Sequence, residues 1–218
     1  MIIVVGGIKG GIGKTTIAIN FAVMLSQNGQ DVLLIDADDQ SSSTAITAWR
    51  EETYKNGAGY ALARLTGKTL ATQVQRHAEK YDHVVIDVGG RDTSSQRGAL
   101  VVADIYMVPF PPKSLDVDTL DQVADLVNLA KAVNPDLRAV SFLNKAYPRN
   151  RDNDAAADLL RDSAEIDYLD TRICDRKAVS DAISEGRGVI EYRPRNPKAI
   201  AEITALYEAV MQDSALSP

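Results

Sequence analysis

Residues Lys9–Thr16 read KGGIGKTT, and the sequence on either side of them decides the fold. The apolar run Ile2–Val5 precedes the stretch and predicts a buried strand, and apolar residues at helical spacing follow it. A glycine-rich turn between a strand and a helix lets backbone N–H groups approach phosphate oxygens at the start of the helix. The stretch therefore predicts a phosphate-binding loop. The alternative is a glycine-rich turn that binds nothing.

The side chains of this loop suit a nucleotide and Mg²⁺. Lys14 can reach the β- and γ-phosphates, the Thr15 hydroxyl can ligate Mg²⁺, and Thr16 can contact the α-phosphate. The predicted nucleotide-binding residues of the loop are Gly10, Gly11, Ile12, Gly13, Lys14, Thr15 and Thr16.

Apolar runs of about five residues alternate with helical patterns along the chain, which predicts parallel strands joined by crossover helices. Prolines at positions 109, 111 and 112 predict an exposed loop, because proline cannot continue a strand's hydrogen-bond ladder. We expect one α/β domain over residues 1–218, with a doubly wound, mostly parallel sheet flanked by helices, of the P-loop NTPase type. The predicted strands are Ile2–Val5, Val32–Ile35, Ala61–Leu65, His83–Asp87, Ile105–Val108, Leu137–Leu143 and Tyr168–Ile173.

Composition and charge narrow the classes of function. The 218 residues are 45% apolar and 25% charged, and no apolar run approaches the roughly 18 residues of a membrane span, so we expect a cytoplasmic protein. The single cysteine, Cys174, excludes an internal disulfide and a paired-thiolate metal site. The net charge of −6 disfavours nucleic-acid coating by bulk charge. Residues 171–198, however, carry seven basic and four acidic side chains, a net charge of +3 that predicts a phosphate-facing patch.

Acidic residues follow two predicted strands at the edge where a doubly wound sheet binds ligands. Asp36 and Asp38 can orient Mg²⁺ through its waters and position an attacking water. Asp87 can accept a hydrogen bond from Mg²⁺-bound water or from Thr15. The alternative, a carboxylate that only caps a helix or a turn, is the better reading for Asp39 alone.

Asn144 ends a later predicted strand with an amide side chain. An amide offers one donor and one acceptor, which match the N6 and N7 edge of adenine. Adenine contact is the prediction, and a turn-forming asparagine is the alternative.

Together these motifs resemble the ParA/MinD family of deviant Walker A ATPases, from Met1 to about Gly188. Ile8 stands where the first glycine of the ordinary loop is expected, and the second lysine of the deviant form, Lys9, lies beside it. The turn after Asp87 departs from the family's proline pair. The other segments that carry the resemblance are Asp36–Gln40, similar to switch I, Asp87–Gly90, similar to Walker B, the proline loop Pro109–Asp116 and the final nucleotide-side helix Asp175–Gly186.

The resemblance implies a cofactor pair of ATP and Mg²⁺ and a homodimer that forms on ATP. Lys9 would reach the nucleotide of the other protomer, Asp38 would serve hydrolysis, and Asp36 would lie near the metal. The ATP dimer would bind non-specific DNA on the nucleoid, and a ParB-like or other small adaptor would stimulate weak turnover to segregate or position a plasmid, a chromosome or a protein assembly. No helix-turn-helix extension is recognised. The candidate DNA-binding residues are Arg172, Arg187, Arg193 and Arg195.

Two other functions are weighed against this one. A MinD-like membrane cycle requires a basic amphipathic helix at the C-terminus, but no basic residue follows Lys198, and Glu202, Glu208 and Asp213 flank the apolar stripe. We therefore expect that helix to pack on the domain and predict no membrane binding. A small-molecule ligase of the dethiobiotin synthetase type requires a substrate pocket, and the sequence has no insertion to build one.

Overall fold

The computed structural model describes residues 1–90, 94–115, 117–148 and 151–214, and within these ranges seven strands form one sheet. Each strand pair is parallel, and the spatial order is β3-β2-β4-β1-β5-β6-β7. The strands are β1 (Ile2–Val5), β2 (Val32–Ala37), β3 (Ala61–Arg64), β4 (His83–Val88), β5 (Ile105–Phe110), β6 (Arg138–Ala146) and β7 (Asp167–Cys174). The helices are α1 (Lys14–Gln27), α2 (Ser42–Thr53), α3 (Leu70–Ala78), α4 (Ser94–Leu100), α5 (Val117–Lys131), α6 (Arg151–Arg161), α7 (Lys177–Ser184) and α8 (Pro197–Ser214). The doubly wound parallel fold is confirmed.

The sheet is buried between two layers of helices. Strands β1, β2 and β5 are buried at every residue, as expected for apolar strands of a parallel sheet with both faces covered. Apolar residues of α3, α4, α5 and α6 pack on one face. Those of α1, α2, α7 and α8 pack on the other face.

The register of the central strands sets the position of the ligand edge. Val5 of β1 is level with Asp87 of β4, and Asp87 is level with Asp36 of β2. The loop that follows β1 therefore emerges beside the two carboxylates. This is also where the strand order reverses, the usual position of a ligand in a doubly wound sheet.

Helix α8 packs on the domain, as the sequence predicts. Ile203, Leu206 and Val210 are buried in the same apolar cluster as α1, and the rings of Phe21 and Tyr207 lie 5.6 Å apart. The apolar stripe that a membrane-binding helix would expose is thus covered by protein. Among the described helices, none combines the length and the apolar character needed to cross a membrane.

The prediction of an exposed loop beginning at Pro109 is wrong. Pro109 lies inside β5, is buried, and is level with Phe142 of β6. The Met107 carbonyl accepts a hydrogen bond from Gly6, so Pro109, two residues later, also faces β1. Because β1 ends at Val5, no ladder hydrogen bond requires an N–H from Pro109.

Candidate nucleotide-binding site

The loop after β1 contains glycines at positions where other residues do not fit. Gly11 and Gly13 have φ angles of +73° and +94°, which glycine adopts far more easily than other residues. A Cβ atom at Gly13 would lie 2.3 Å from Nδ2 of Asn144. Within the described chain no side chain caps α1, which begins directly after Gly13. The N–H groups of its first turn are therefore available to an anion.

An open cleft of about 750 Å³ lies between this loop and the ends of β2, β4 and β6. A cleft of this size is in the range of small-molecule and cofactor sites. It brings together the loop and Asp38, as the sequence predicts. Its lining residues are Gly10, Gly11, Gly13, Lys14, Thr15, Thr16, Asp38, Asp39, Gln40, Ser42, Gly89, Gly90 and Lys145.

Lys14 is held at the base of this cleft. Its side chain is buried, and Nζ donates a hydrogen bond to the carbonyl of Lys9 at 3.0 Å. Burial lowers the pKa of Lys14, and the nearby charges of Asp87 and Asp38 oppose that shift. A phosphate at the loop would add the negative charge that favours the ammonium form.

Asp36 and Asp87 are both fully buried, but their carboxylates are used differently. In Asp36 one oxygen accepts from the Asp38 N–H, and the other accepts from the backbone and the hydroxyl of Thr44. Asp36 thus caps the first turn of α2, a role that the sequence analysis reserved for Asp39. Its predicted role near the metal stays a prediction.

In Asp87, Oδ2 accepts a hydrogen bond from the Ser43 hydroxyl at 2.5 Å. Oδ1 is buried and has no hydrogen-bond partner among the described residues. Burial raises the pKa of Asp87 to about 7, and the charge of Asp36 adds to the shift, whereas the hydroxyls of Ser43 and Thr15 oppose it. A buried carboxylate oxygen without a partner is suited to accept a hydrogen bond from a bound ligand.

The donor set at this point fits Mg²⁺ bound with a nucleotide. The described residues contain no group of three or more His, Cys, Asp or Glu side chains that could enclose a metal by themselves. Mg²⁺ commonly keeps several waters and takes one or two protein ligands plus phosphate oxygens. Thr15 would supply the ligand, and the free Oδ1 of Asp87 would accept from a metal-bound water.

Strand β2 ends at Ala37, so Asp38 lies in the loop beyond the sheet. One carboxylate oxygen of Asp38 accepts from the Gln40 N–H at 3.1 Å, and the side chain lines the cleft with Lys14. Asp38 is therefore placed to act on groups in the cleft, whereas Asp36 is enclosed by the protein. Asp39 also lines the cleft and is exposed.

The glycine pair that follows β4 allows two loops to come into contact. A Cβ atom at Gly90 would lie 2.8 Å from both the Gly10 nitrogen and the Lys9 carbonyl oxygen. A Cβ atom at Gly89 would lie 3.2 Å from a carboxylate oxygen of Asp38. The departure from the proline pair of the resembling family thus has a steric reason.

Asn144 supports the loop in this structure. It is buried within β6, and its side-chain Nδ2 donates to the Ile12 carbonyl at 2.7 Å. The side-chain donor of Asn144 is therefore engaged by the protein. The predicted contact of Asn144 with adenine stays a prediction. The next residue, Lys145, lines the cleft and has a φ of +53°.

Lys9 directly precedes Gly10, which lines the cleft, and its carbonyl accepts a hydrogen bond from Lys14. Ile8 packs against the apolar cluster on the α5 face, where it meets Val108 and Val123 around a small cavity. The residue that replaces the usual glycine is therefore an apolar anchor. The contact of Lys9 with a second protomer stays a prediction.

The four candidate DNA-binding arginines do not lie together. Arg172 pairs with Asp154 of α6 at 3.1 Å, which places it on the α6 side of the sheet. Arg187 pairs with Glu185 at 3.2 Å on the opposite side. Arg193 and Arg195 are exposed in the segment before α8. Arg187, Arg193 and Arg195 thus share the segment between α7 and α8, and Arg172 lies apart from it in β7.

Four polar residues of the site were missed by the sequence analysis: Ser42, Ser43, Thr44 and Lys145. A serine-rich run such as Ser41–Ser43 is typical of a helix start, but it does not indicate that the hydroxyls of Ser43 and Thr44 would hold Asp87 and Asp36. That pairing depends on the fold, because α2 packs over the ends of β2 and β4. The left-handed backbone of Lys145 has no sequence signal.

Residues 3–190 match the model of the CobQ/CobB/MinD/ParA nucleotide-binding domain. A curated relative, "Maintenance of carboxysome distribution protein A" of Halothiobacillus neapolitanus, is 28% identical over 209 residues, which are 95% of this chain and 94% of that protein. The match covers nearly the whole length of both proteins.

Solved structures share the fold at lower identity. A plasmid partition protein of Borrelia burgdorferi bound to AMPPNP superposes with a TM-score of 0.77 at 22% identity, covering 97% of this chain and 98% of that chain. An Asp-to-Ala variant of McdA from Cyanothece in complex with ATP superposes with a TM-score of 0.76 at 17% identity, covering 96% and 95%. These similarities establish the fold.

Proposed function

We propose, from the premise that this chain belongs to the CobQ/CobB/MinD/ParA nucleotide-binding family, that it is a ParA-type ATPase that positions a cargo. ParA/MinD-type proteins are ATPases, and this supports ATP hydrolysis as the general activity of this chain. The observation that carries the proposal is the cleft that joins the lysine-containing loop to Asp38, beside the buried Asp87. We further propose that residues 1–218 are one domain.

In the proposed mechanism the residues of this chain bind and orient the reactants. Lys14 and the N–H groups at the start of α1 hold the phosphates, and Asp38 orients the attacking water and accepts its proton. Thr15 and Asp87 hold Mg²⁺ and its water, and Mg²⁺ when bound neutralises charge on the phosphates. Ser43 keeps the Asp87 carboxylate turned so that Oδ1 is available.

The output of the cycle would be an ATP-dependent homodimer. Lys9 directly precedes Gly10, which lines the cleft, and its side chain would add positive charge to the nucleotide of a second protomer. Turnover would be weak until an adaptor, ParB-like or otherwise small, completes the stabilisation of the transition state. The name of the relative from Halothiobacillus supports a protein assembly as one class of cargo, and the Borrelia structure supports a plasmid.

The ATP dimer would bind DNA non-specifically, which would place a cytoplasmic protein on the nucleoid. Arg187, Arg193 and Arg195 lie in or beside the segment before α8 and support this proposal by their charge. Phosphate contacts of this kind give affinity without sequence preference and weaken steeply as salt rises.

The test is DNA retention by the purified chain with ATP and Mg²⁺, with ADP and Mg²⁺, and without nucleotide, each at two salt concentrations. The expected result is strong binding with ATP alone and a loss of about tenfold or more when salt rises fourfold. Sedimentation in the same buffers would report the dimer. Equal DNA retention with and without nucleotide would contradict the proposal.

A second candidate function, a small-molecule ligase, is favoured by one observation. A polar pocket of about 180 Å³ adjoins the cleft at Asp38 and Gly89, and Thr66, Ser94 and Ser95 also line it. A ligase would hydrolyse ATP only when its organic acid or amine substrate is present. Steady ATP turnover without any added small molecule would exclude this candidate.

A further inference from the structure

Helix α2 begins at the nucleotide edge. In its first turn, Ser43 donates to Asp87 at 2.5 Å, and Thr44 donates to Asp36 through both its N–H and its hydroxyl. Ser41, immediately before the helix, has a φ of +55°, an uncommon backbone conformation for serine. The start of α2 is therefore fixed by the carboxylates next to the nucleotide and not by a favourable local conformation.

The other end of α2 is fixed to residues 185–196, which we call the connecting segment because they join α7 to α8. Arg50 forms two hydrogen bonds to Glu191, at 2.6 and 2.8 Å, and a third to the Gly186 carbonyl at 3.1 Å. The hydroxyl of Thr53 donates to the Glu185 carbonyl at 3.0 Å. Backbone and side chain of the connecting segment are thus both bonded to α2.

The Arg50–Glu191 pair is buried, with only 6% and 9% of the two side chains exposed. Glu191 also accepts from the Gly188 N–H and from Gln27 of α1. Burial raises the pKa of Glu191, but the hydrogen bonds from Arg50, Gly188 and Gln27 lower it further, so that the pKa lies below its usual value. Both partners of the pair are therefore charged. Planar two-bond pairs of this kind fix orientation as well as distance.

The length of α2 sets how far a movement could be carried. Its 12 residues extend roughly 18 Å as a rigid helix. A change in the Asp87 carboxylate when it accepts from a metal-bound water would act on Ser43 and hence on the helix start. The opposite end would carry the connecting segment, which contains Arg187, Arg193 and Arg195.

We propose that the Arg50–Glu191 pair is a positioning element that connects the nucleotide site to the connecting segment through α2, so that bound Mg²⁺-nucleotide changes the DNA affinity of the arginines there. The proposal rests on the proposed function for its readout on DNA. The coupling itself concerns only this chain and its nucleotide.

The variant that tests the coupling is Arg50→Met with Glu191→Met. Replacing both partners by apolar side chains of similar size avoids an unpaired buried charge, and such double replacements are often tolerated. The chain offers a matched control. Arg176 and Glu202 form a similar two-bond pair, with an Nε to Oε2 distance of 3.0 Å, between the start of α7 and α8 and away from α2.

The measurement is the ratio of DNA affinity with a slowly hydrolysed ATP analogue to that with ADP, both with Mg²⁺. We expect the ratio to fall by about tenfold in the Arg50→Met, Glu191→Met variant and to stay within about twofold in Arg176→Met, Glu202→Met. Thermal melting would establish that both variants are folded. A folded α2 variant that keeps the wild-type ratio overturns the proposal.

Amide hydrogen exchange gives a second readout that does not require DNA binding. In the wild type, Mg²⁺-nucleotide is expected to change exchange at Thr44 and also at Gly186, whose N–H donates to the Ile183 carbonyl and not to a replaced side chain. In the α2 variant the change is expected only at Thr44. A wild-type protein in which nucleotide alters Thr44 and leaves residues 185–191 unchanged contradicts the coupling, whatever its DNA binding. If the wild type shows this exchange pattern but does not bind DNA, the proposed function is contradicted and the coupling is not.

Discussion

The ligand edge of the sheet and the basic stretch of residues 171–198 show opposite relations between distance along the sequence and distance in space. Lys14, Asp38 and Asp87 are far apart in the sequence but lie at or beside one cleft, because parallel strands end at the same edge of a sheet. Arg172 and Arg187 are near one another in the sequence but lie on opposite sides of the sheet.

The difference shows which sequence patterns can be read as sites. Residues at the carboxyl ends of strands converge whatever their separation along the chain. In contrast, the charges of residues 171–198 belong to an edge strand, a helix and a loop, and these elements place them on different surfaces. Replacements at the cleft should therefore have the largest effects, and replacements in the basic stretch should have smaller effects that differ between its two surfaces.

The largest effect is expected at Lys14. Replacement of Lys14 by Ala removes a charged donor from the phosphates, so we expect ATP affinity to fall by about 100-fold or more. Equilibrium binding of a fluorescent ATP analogue would measure it. The variant should fold normally, because Lys14 is an unfavourable buried charge without nucleotide. Unchanged ATP binding would remove the loop from the site.

Asp38 and Asp39 offer a matched pair for the chemical step. We expect Asp38→Ala to bind ATP normally but to lower kcat by about 100-fold, because the attacking water loses its orienting carboxylate. Asp39→Ala, which removes the same charge one residue later, should lower kcat by less than about threefold. Release of phosphate in single-turnover conditions separates the two. Equal losses would show that charge, and not position, matters at the end of β2.

Asp87 should affect stability in a way that depends on pH. Its pKa is raised to about 7 in the folded state, so the folded protein holds this proton while the unfolded chain releases it near pH 4. The free energy of unfolding therefore falls as pH rises from about 4 to 7. In EDTA without nucleotide, Asp87→Asn should add on the order of 2 kcal/mol at pH 8 and little at pH 4. Thermal melting at both pH values checks this, and an equal gain at both would contradict it.

The smallest effects are expected among the arginines, where they test the division of the basic stretch. The double replacement of Arg193 and Arg195 by Glu should weaken ATP-dependent DNA binding by about tenfold and reduce its salt dependence. Arg172→Glu should change DNA affinity by less than about twofold, because Arg172 faces α6. Equal losses at the two places would show that both surfaces contact DNA.

Much of the fold could be predicted from the sequence, because apolar strands of a parallel sheet and a glycine-rich loop have strong local signals. The boundary at Pro109 could not, since its tolerance depends on where the neighbouring strand ends. The site was predicted as far as strand ends and loop motifs determine it. Ser43, Thr44 and the support of Ile12 by Asn144 depend on tertiary packing, which no local pattern records.

The close approach of Gly90 to Gly10 and Lys9 also has an evolutionary consequence. A methyl group at Gly90 would lie 2.8 Å from the Gly10 nitrogen and the Lys9 carbonyl oxygen, so it would clash with the backbone of the phosphate loop. A residue larger than glycine at position 90 would therefore require a different position of the phosphate loop. We expect the two loops to have diverged together among the relatives of this protein, as two parts of one surface and not as independent motifs.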